Sequence, residues 1–271
     1  MTTLDVYGLG VRTHVHVGGE RADELADAVR AAWSRCLEPT PGAIDGGVVR
    51  AELLAEGEAR AGDPRNRDAG RAVVRGGDRL SLMQALTQAV TAANIAAQTG
   101  RLLMLHAGAV SDAASGATVG FVAPGGTGKT TLARALGGRW GYVTDETLGV
   151  RLDDRGVVAY PKPLSVRLDG SGTKRELSPD ALGLRRPGPE LWLRRLVLIR
   201  RDQSVRTPHV EELGVVDALV GLTPETSALG RLPRPLHALA DLLDALGPTL
   251  RVTYAEASDA APVVADLMGA A

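Results

Sequence analysis

The sequence predicts an α/β protein, with a small α+β domain over residues 1–100 ahead of a larger α/β domain over residues 101–271. Three observations predict it. Apolar residues make up 44% of the 271, enough for a sizeable buried core. Near Arg101 the pattern changes from alternating strands and an amphipathic helix to short, largely apolar strands. A glycine-rich loop over residues 123–131 then stands between one of these strands and a helical stretch.

Each element follows in order. Residues 4–8 and 11–17 alternate as strands, which puts His14 and His16 on one face; no third metal ligand is evident, so solvated histidines are expected there. Residues 22–37 carry Leu25, Val29 and Trp33 at helical spacing, residues 39–47 read as a loop, and 48–54 as a strand. Residues 58–68 are polar and charged, so an exposed, mobile stretch is expected. A long helix follows, with Ser81 as its cap, Gln84 completing a capping box, Gly100 as a left-handed C-cap, and a stripe of Leu82, Leu86, Val90, Ala93 and Ala97. In the second domain, residues 102–110 and 117–122 are buried strands joined by a small-residue turn. A helix over 130–136, a strand over 142–144, a hairpin around residues 153–156, a strand over 193–200 and a helix over 236–246 complete the reading.

Composition excludes several roles. Thirty-one basic residues against thirty-two acidic ones leave a net charge of −1, wrong for a chain built to coat nucleic acid or an anionic membrane. Aromatics at 3% argue against a base-stacking platform. Cys36 is the single cysteine, so no internal disulfide and no cysteine-rich metal site is expected. No apolar run reaches membrane-spanning length, and residues 1–5 lack a basic stretch followed by an apolar one, so a soluble, cytoplasmic protein is expected.

The strongest chemical signal is Ala123-Pro-Gly-Gly-Thr-Gly-Lys129-Thr-Thr131, a relaxed P-loop (Walker A) pattern with alanine at the usual first glycine. Glycines let a tight loop turn its backbone N–H groups inward as an anion nest, and the following helix adds its positive end. Gly125, Gly126, Thr127, Gly128, Lys129, Thr130 and Thr131 are the expected nucleotide-binding residues. Lys129 reaches the β- and γ-phosphates and the Thr130 hydroxyl joins Mg²⁺. ATP and Mg²⁺ are thus the expected cofactors. The second signal is Tyr142-Val-Thr-Asp145-Glu146, paired carboxylates at a strand end about fifteen residues beyond Lys129. In a parallel α/β sheet that distance returns the chain to the same carboxyl edge, where the acids can hold Mg²⁺ or take a proton. The third is His106 in an apolar strand; by itself such a histidine reads as a core residue.

Together, in order, these features resemble the HPr kinase/phosphorylase family. The matching stretches are Leu105-His106-Ala-Gly-Ala-Val110, Gly125-Gly-Thr-Gly-Lys-Thr130 and Val143-Thr-Asp145-Glu146, within a span of residues 102–167 that includes Tyr160-Pro-Lys-Pro-Leu164. The likeness is nearest to the looser HPr-kinase-related serine kinases of peptide and natural-product modification. The loop is also similar to that of ATP-dependent phosphoenolpyruvate carboxykinase. The resemblance implies a P-loop kinase domain of the HPr kinase/phosphoenolpyruvate carboxykinase type. It implies Asp145 as general base, Glu146 in support of it or of the metal, His106 beside the transferring phosphate, and Lys129 on the phosphates. Lys162, one of three lysines, is a weaker candidate for a phosphate or acidic substrate group, with Arg167 and Arg200 behind it. The chain departs from the family at Thr131, where HPr kinases carry an acid, and at Glu146, where they carry aspartate. Neither HPr as acceptor nor phosphorylase activity is therefore expected.

The function expected is an ATP- and Mg-dependent kinase, a phosphotransferase with an alcohol group as acceptor. That acceptor is a hydroxyl of a peptide or small molecule, serine first. The rival is a non-catalytic nucleotide-binding regulator or assembly subunit. The expected partners are ATP and the hydroxyl acceptor, with no nucleic acid and no membrane; a homo-oligomer is allowed.

Overall fold

The N-terminal alternation closes into a hairpin. Strands β1 (Thr2–Gly8) and β2 (Val11–Gly18) pair antiparallel across Leu9 and Gly10, both in left-handed backbone at φ 53° and 67°. Val11, Thr13, Val15 and Val17 of β2 point inward, which leaves His14 and His16 together on the less buried face, as their spacing predicts. His14 Nδ1 lies 2.6 Å from Asp5 Oδ1, and among the described residues no three or more His, Cys, Asp or Glu side chains come together to hold a metal.

The structure, a computed structural model, describes residues 1–56, 67–68, 71–167 and 174–269. It is α/β with mixed sheets and falls into two units. The first unit is Met1–Gln98 with Pro161–Leu182; the second is Thr99–Tyr160 with Gly183–Ala271. Residues 161–182 thus group with the N-terminal residues, whereas the sequence reading assigned all of 101–271 to one domain. Among the described residues no helix is long and apolar enough to cross a membrane.

In the first unit, helix α1 (Ala22–Ala32) ends at the fully buried Trp33 and passes into a 3-10 turn, Ser34–Leu37, so the expected helix over 22–37 is two elements. Strand β3 (Ile44–Leu53) starts four residues before the expected strand, because Ile44 and Asp45 already pair parallel with Val11 and Arg12 of β2, ahead of a shift in register. With β4 (Arg67–Asp68) and β5 (Arg71–Gly76) the sheet order is β1-β2-β3-β5-β4. Most of the stretch expected to be exposed over 58–68 lies outside the described residues. Helix α2 (Arg79–Gln98) is capped by Asp78, whose carboxylate accepts the Ser81 N–H at 2.9 Å; Ser81 stands inside the first turn. Gln84 donates to the Lys174 carbonyl instead of closing a capping box. Gly100 has the left-handed φ expected of it, 78°. The buried stripe runs from Leu82, Leu86 and Val90 to Asn94 and Gln98, not to Ala93 and Ala97. The amides are usable there: Asn94 Oδ1 accepts from Thr13 Oγ1 (2.8 Å) and Gln98 donates to the Leu9 carbonyl (2.6 Å).

The second unit opens with β6 (Leu103–Ser111), antiparallel to β7 (Ala117–Val122). A loop leads to α3 (Lys129–Gly137), then β8 (Gly141–Thr144), β9 (Thr147–Val150) and β10 (Val157–Val158), the last two forming the predicted hairpin. The chain then contributes the hairpin β11 (Leu164–Arg167) and β12 (Lys174–Leu177) to the first unit. It returns with β13 (Trp192–Arg201), β14 (His209–Leu213), α4 (Val215–Leu222), β15 (Thr226–Ser227), α5 (Pro235–Leu246), β16 (Thr249–Tyr254) and α6 (Ala257–Gly269). The sheet runs β10-β9-β6-β7-β13-β16-β14, with β8 and β15 also on β6. It is mixed, not parallel: β7, β13 and β16 are parallel, and β6 runs against both β7 and β8. Flanking β6 on either side, β7 and β8 therefore point the same way and end at one edge. Leu103, Leu105, Ala107 and Ala109 of β6 join the apolar core with β13, α4 and α5. His106 has the opposite phase along the strand, and it interrupts an otherwise buried strand.

Candidate functional site

The loop after β7 is shaped by its glycines. Gly126 at φ 82° and Gly128 at φ 108° occupy left-handed backbone that side-chain-bearing residues rarely adopt. Thr127 Oγ1 closes the loop onto the Pro124 carbonyl (2.9 Å), and the Tyr254 hydroxyl, at the end of β16, donates to the Thr127 carbonyl (2.9 Å). Pro124, Gly125 and Gly126 remain exposed, as does Thr131 at the start of the helix. The N-terminal amides of α3 therefore stand behind an open cradle. Lys129, the first residue of α3, is buried and folds back so that Nζ donates to the carbonyls of Ala123 and Pro124, the latter at 3.0 Å. Burial pushes its ammonium down to about 8, against the opposing pull of Glu225, Asp145 and Glu146.

The acids arrive by register. Ala109 of β6 faces Thr144 and His106 faces Thr147, so Asp145 and Glu146 occupy the break between β8 and β9 beside Gly108 and Ala107. The Ala107 N–H donates to the Glu146 carbonyl at 3.0 Å, which fixes that break. Asp145 is buried with both oxygens engaged: Oδ2 accepts from Thr130 Oγ1 (2.8 Å) and Oδ1 from the Tyr142 hydroxyl (2.9 Å). Glu146 is half-buried. His106 Nδ1 lies 3.1 Å from Glu225 Oε2, and its Cε1 would stand 4.0 Å from a Cβ placed on Gly125. The imidazole thus lies against the glycine-rich loop.

The second unit therefore gathers Lys129, Thr130, Asp145, Glu146 and His106. It adds three residues the sequence did not single out: Tyr142, Glu225 and Tyr254. Lys162 and Arg167 belong to the first unit. Lys162 is buried and donates to the Pro163 carbonyl at 2.9 Å, so it is not a solvated surface lysine; Arg167 is exposed at the end of β11. Arg200 pairs with Asp202 at 3.3 Å.

Two groups could be held here. A glycine-rich loop of residues 124–128 ahead of a helix N-terminus, with Lys129 at its start, is a residue pattern that suits a polyphosphate. Thr130 Oγ1 and Asp145 Oδ2 are hard oxygen donors 2.8 Å apart, and Glu146 is the next residue in the chain. Magnesium is held by one or two carboxylates together with substrate phosphates, not by an all-protein cage, and this donor set fits that habit. Compared with known families and curated proteins, the chain matches no family model and no curated sequence.

Proposed function

We propose that this protein is an ATP- and Mg²⁺-dependent kinase of the P-loop type that transfers the γ-phosphate to a hydroxyl of a peptide or small molecule, serine first among them. The observation that carries the reading is the hydrogen bond from Thr130, at the start of the P-loop helix, to Asp145 at the end of β8. It couples the phosphate loop to the acid pair, which is the pairing a metal-nucleotide site requires.

Charge supports the same reading. Three carboxylates act on the buried Lys129. A polyphosphate entering alone would meet more negative than positive charge, so a divalent cation is needed to offset it. When bound, Mg²⁺ would supply that charge and orient the phosphates. The rest falls to the chain: the loop amides and Lys129 hold the phosphates in line, and Asp145 keeps the Thr130 hydroxyl oriented. The resemblance of the three motifs to the HPr-kinase-related group supports a hydroxyl acceptor.

The test is a phosphotransfer screen with γ-labelled ATP and Mg²⁺ against free serine, small hydroxy compounds and serine-containing peptides. Label should move to at least one acceptor. Tight Mg·ATP binding with no transfer to any of them would contradict the kinase and favour a nucleotide-sensing regulator.

A further inference from the structure

Resting on the phosphotransfer reading and deepening it, we propose that His106, oriented by Glu225, takes the proton of the acceptor hydroxyl, while Asp145 serves the metal side.

Proton abstraction needs a lone pair that faces the acceptor. Each Asp145 oxygen already accepts a hydroxyl hydrogen, and the group is buried behind the loop, which suits holding Thr130 better than meeting a substrate. His106 is placed differently. Its phase on β6 turns it away from the apolar core shared by Leu105 and Ala107, and its ring edge lies against Gly125. Its side chain is 40% exposed, against 12% for Glu225. Glu225 reaches it by register. β15 pairs with β6 so that Thr226 faces Leu105, which sets the preceding residue level with His106. The turn carrying Glu225 is tied at both ends, Thr223 Oγ1 to the Leu219 carbonyl and Thr226 Oγ1 to the Thr223 carbonyl, each at 2.7 Å. A carboxylate only accepts, so the Nδ1 it faces carries hydrogen and Nε2 keeps the lone pair. This is the geometry by which a carboxylate sets the tautomer of a histidine base.

The step balances. The acceptor oxygen forms a bond to the γ-phosphorus as the bond from that phosphorus to the β-phosphate bridging oxygen breaks. The hydroxyl proton passes to His106 Nε2, the Glu225 carboxylate offsets the imidazolium, and the exposed ring returns the proton to water. Glu225 touches no reacting atom; it is a positioning residue.

Three measurements on the full chain decide this. Imidazole ¹⁵N–¹H spectra of the ligand-free protein, with His106→Gln to assign the signal, should show His106 with hydrogen on Nδ1, and Glu225→Gln should mix the tautomers. In transfer assays, His106→Gln should lose roughly 10² to 10⁴ in rate. Glu225→Gln should lose roughly 10 to 100, with Glu225→Asp recovering part of it. His106→Gln should bind Mg·ATP within about twofold of wild type, whereas Asp145→Asn should bind it more weakly. An Nε2–H tautomer in the wild type overturns the inference alone. So does wild-type transfer by His106→Gln, or an Asp145→Asn variant that binds Mg·ATP normally yet transfers nothing. A wild-type protein that transfers to no acceptor overturns both the inference and the kinase reading.

Discussion

Burial holds the Lys129 ammonium near 8, down from an ordinary 10.5, even with Glu225, Asp145 and Glu146 pulling the other way. Bound phosphate favours the charged form, so nucleotide binding should take up a proton wherever the free lysine has begun to lose it. Calorimetric titration should therefore find ATP affinity about tenfold weaker at pH 9 than at pH 7, with buffer-dependent heats that reveal the uptake. Lys129→Met should flatten that dependence; a pH-independent affinity in the wild type would be the contrary result. The ligand-free protein carries the complementary signature. Its unfolded chain keeps this proton until about 10.5, so between about 8 and 10.5 the unfolded state binds more protons and this lysine's contribution to stability rises with pH. Lys129, Thr130 and Asp145 were legible in the sequence because the loop pattern and the short return to an acid pair are both local. Glu225 and Tyr254 were not. Their partners lie 119 and 127 residues away, and nothing in Thr-Pro-Glu225 or Val-Thr-Tyr254 marks either residue apart from an ordinary turn or strand end.

At the scale of elements, local signals located α1, α2, α3 and α5 but not all of their ends, and they missed α4 (Val215–Leu222) and α6 (Ala257–Gly269). Asp78 caps α2 because its carboxylate can take both the hydroxyl and the N–H of Ser81, an arrangement that three-residue spacing read from Ser81 onward does not reveal. Those bonds hold the Asp78 carboxyl below its ordinary 3.8, the Ser81 hydroxyl contributing most. Asp78→Ala should cost about 1 kcal/mol in urea unfolding at pH 7. The stabilisation belongs to the ionised form, so it is complete above about 3.8 and lost as pH falls through the lower folded value. The difference between variant and wild type should thus shrink as pH is taken down to about 2. A variant as stable as wild type at pH 7 would return the cap to Ser81. The stripe of α2 misled for a related reason: Asn94 and Gln98 look like surface residues until Thr13 and the Leu9 carbonyl, far off in the chain, supply their hydrogen bonds.

At the scale of the whole chain, the α/β class and the change of character near residue 100 were readable from composition and apolar runs. The mixed sheet was not, since an apolar strand carries no mark of its direction, and β6 runs against both of its neighbours. Nor was the return of residues 161–182 to the first unit, which depends on long-range bonds such as Arg35 to Asp180 at 2.9 Å. What unites the second unit's site is charge: the buried Lys129 and three carboxylates around a glycine-rich loop. The measurement that tests this most directly is calorimetric titration of ATP into the full chain with and without Mg²⁺, in wild type and in Lys129→Ala. The account predicts binding at least about tenfold tighter with Mg²⁺, and a loss of about 3 kcal/mol in the variant. ATP binding that ignores Mg²⁺, or that survives intact in Lys129→Ala, would contradict it.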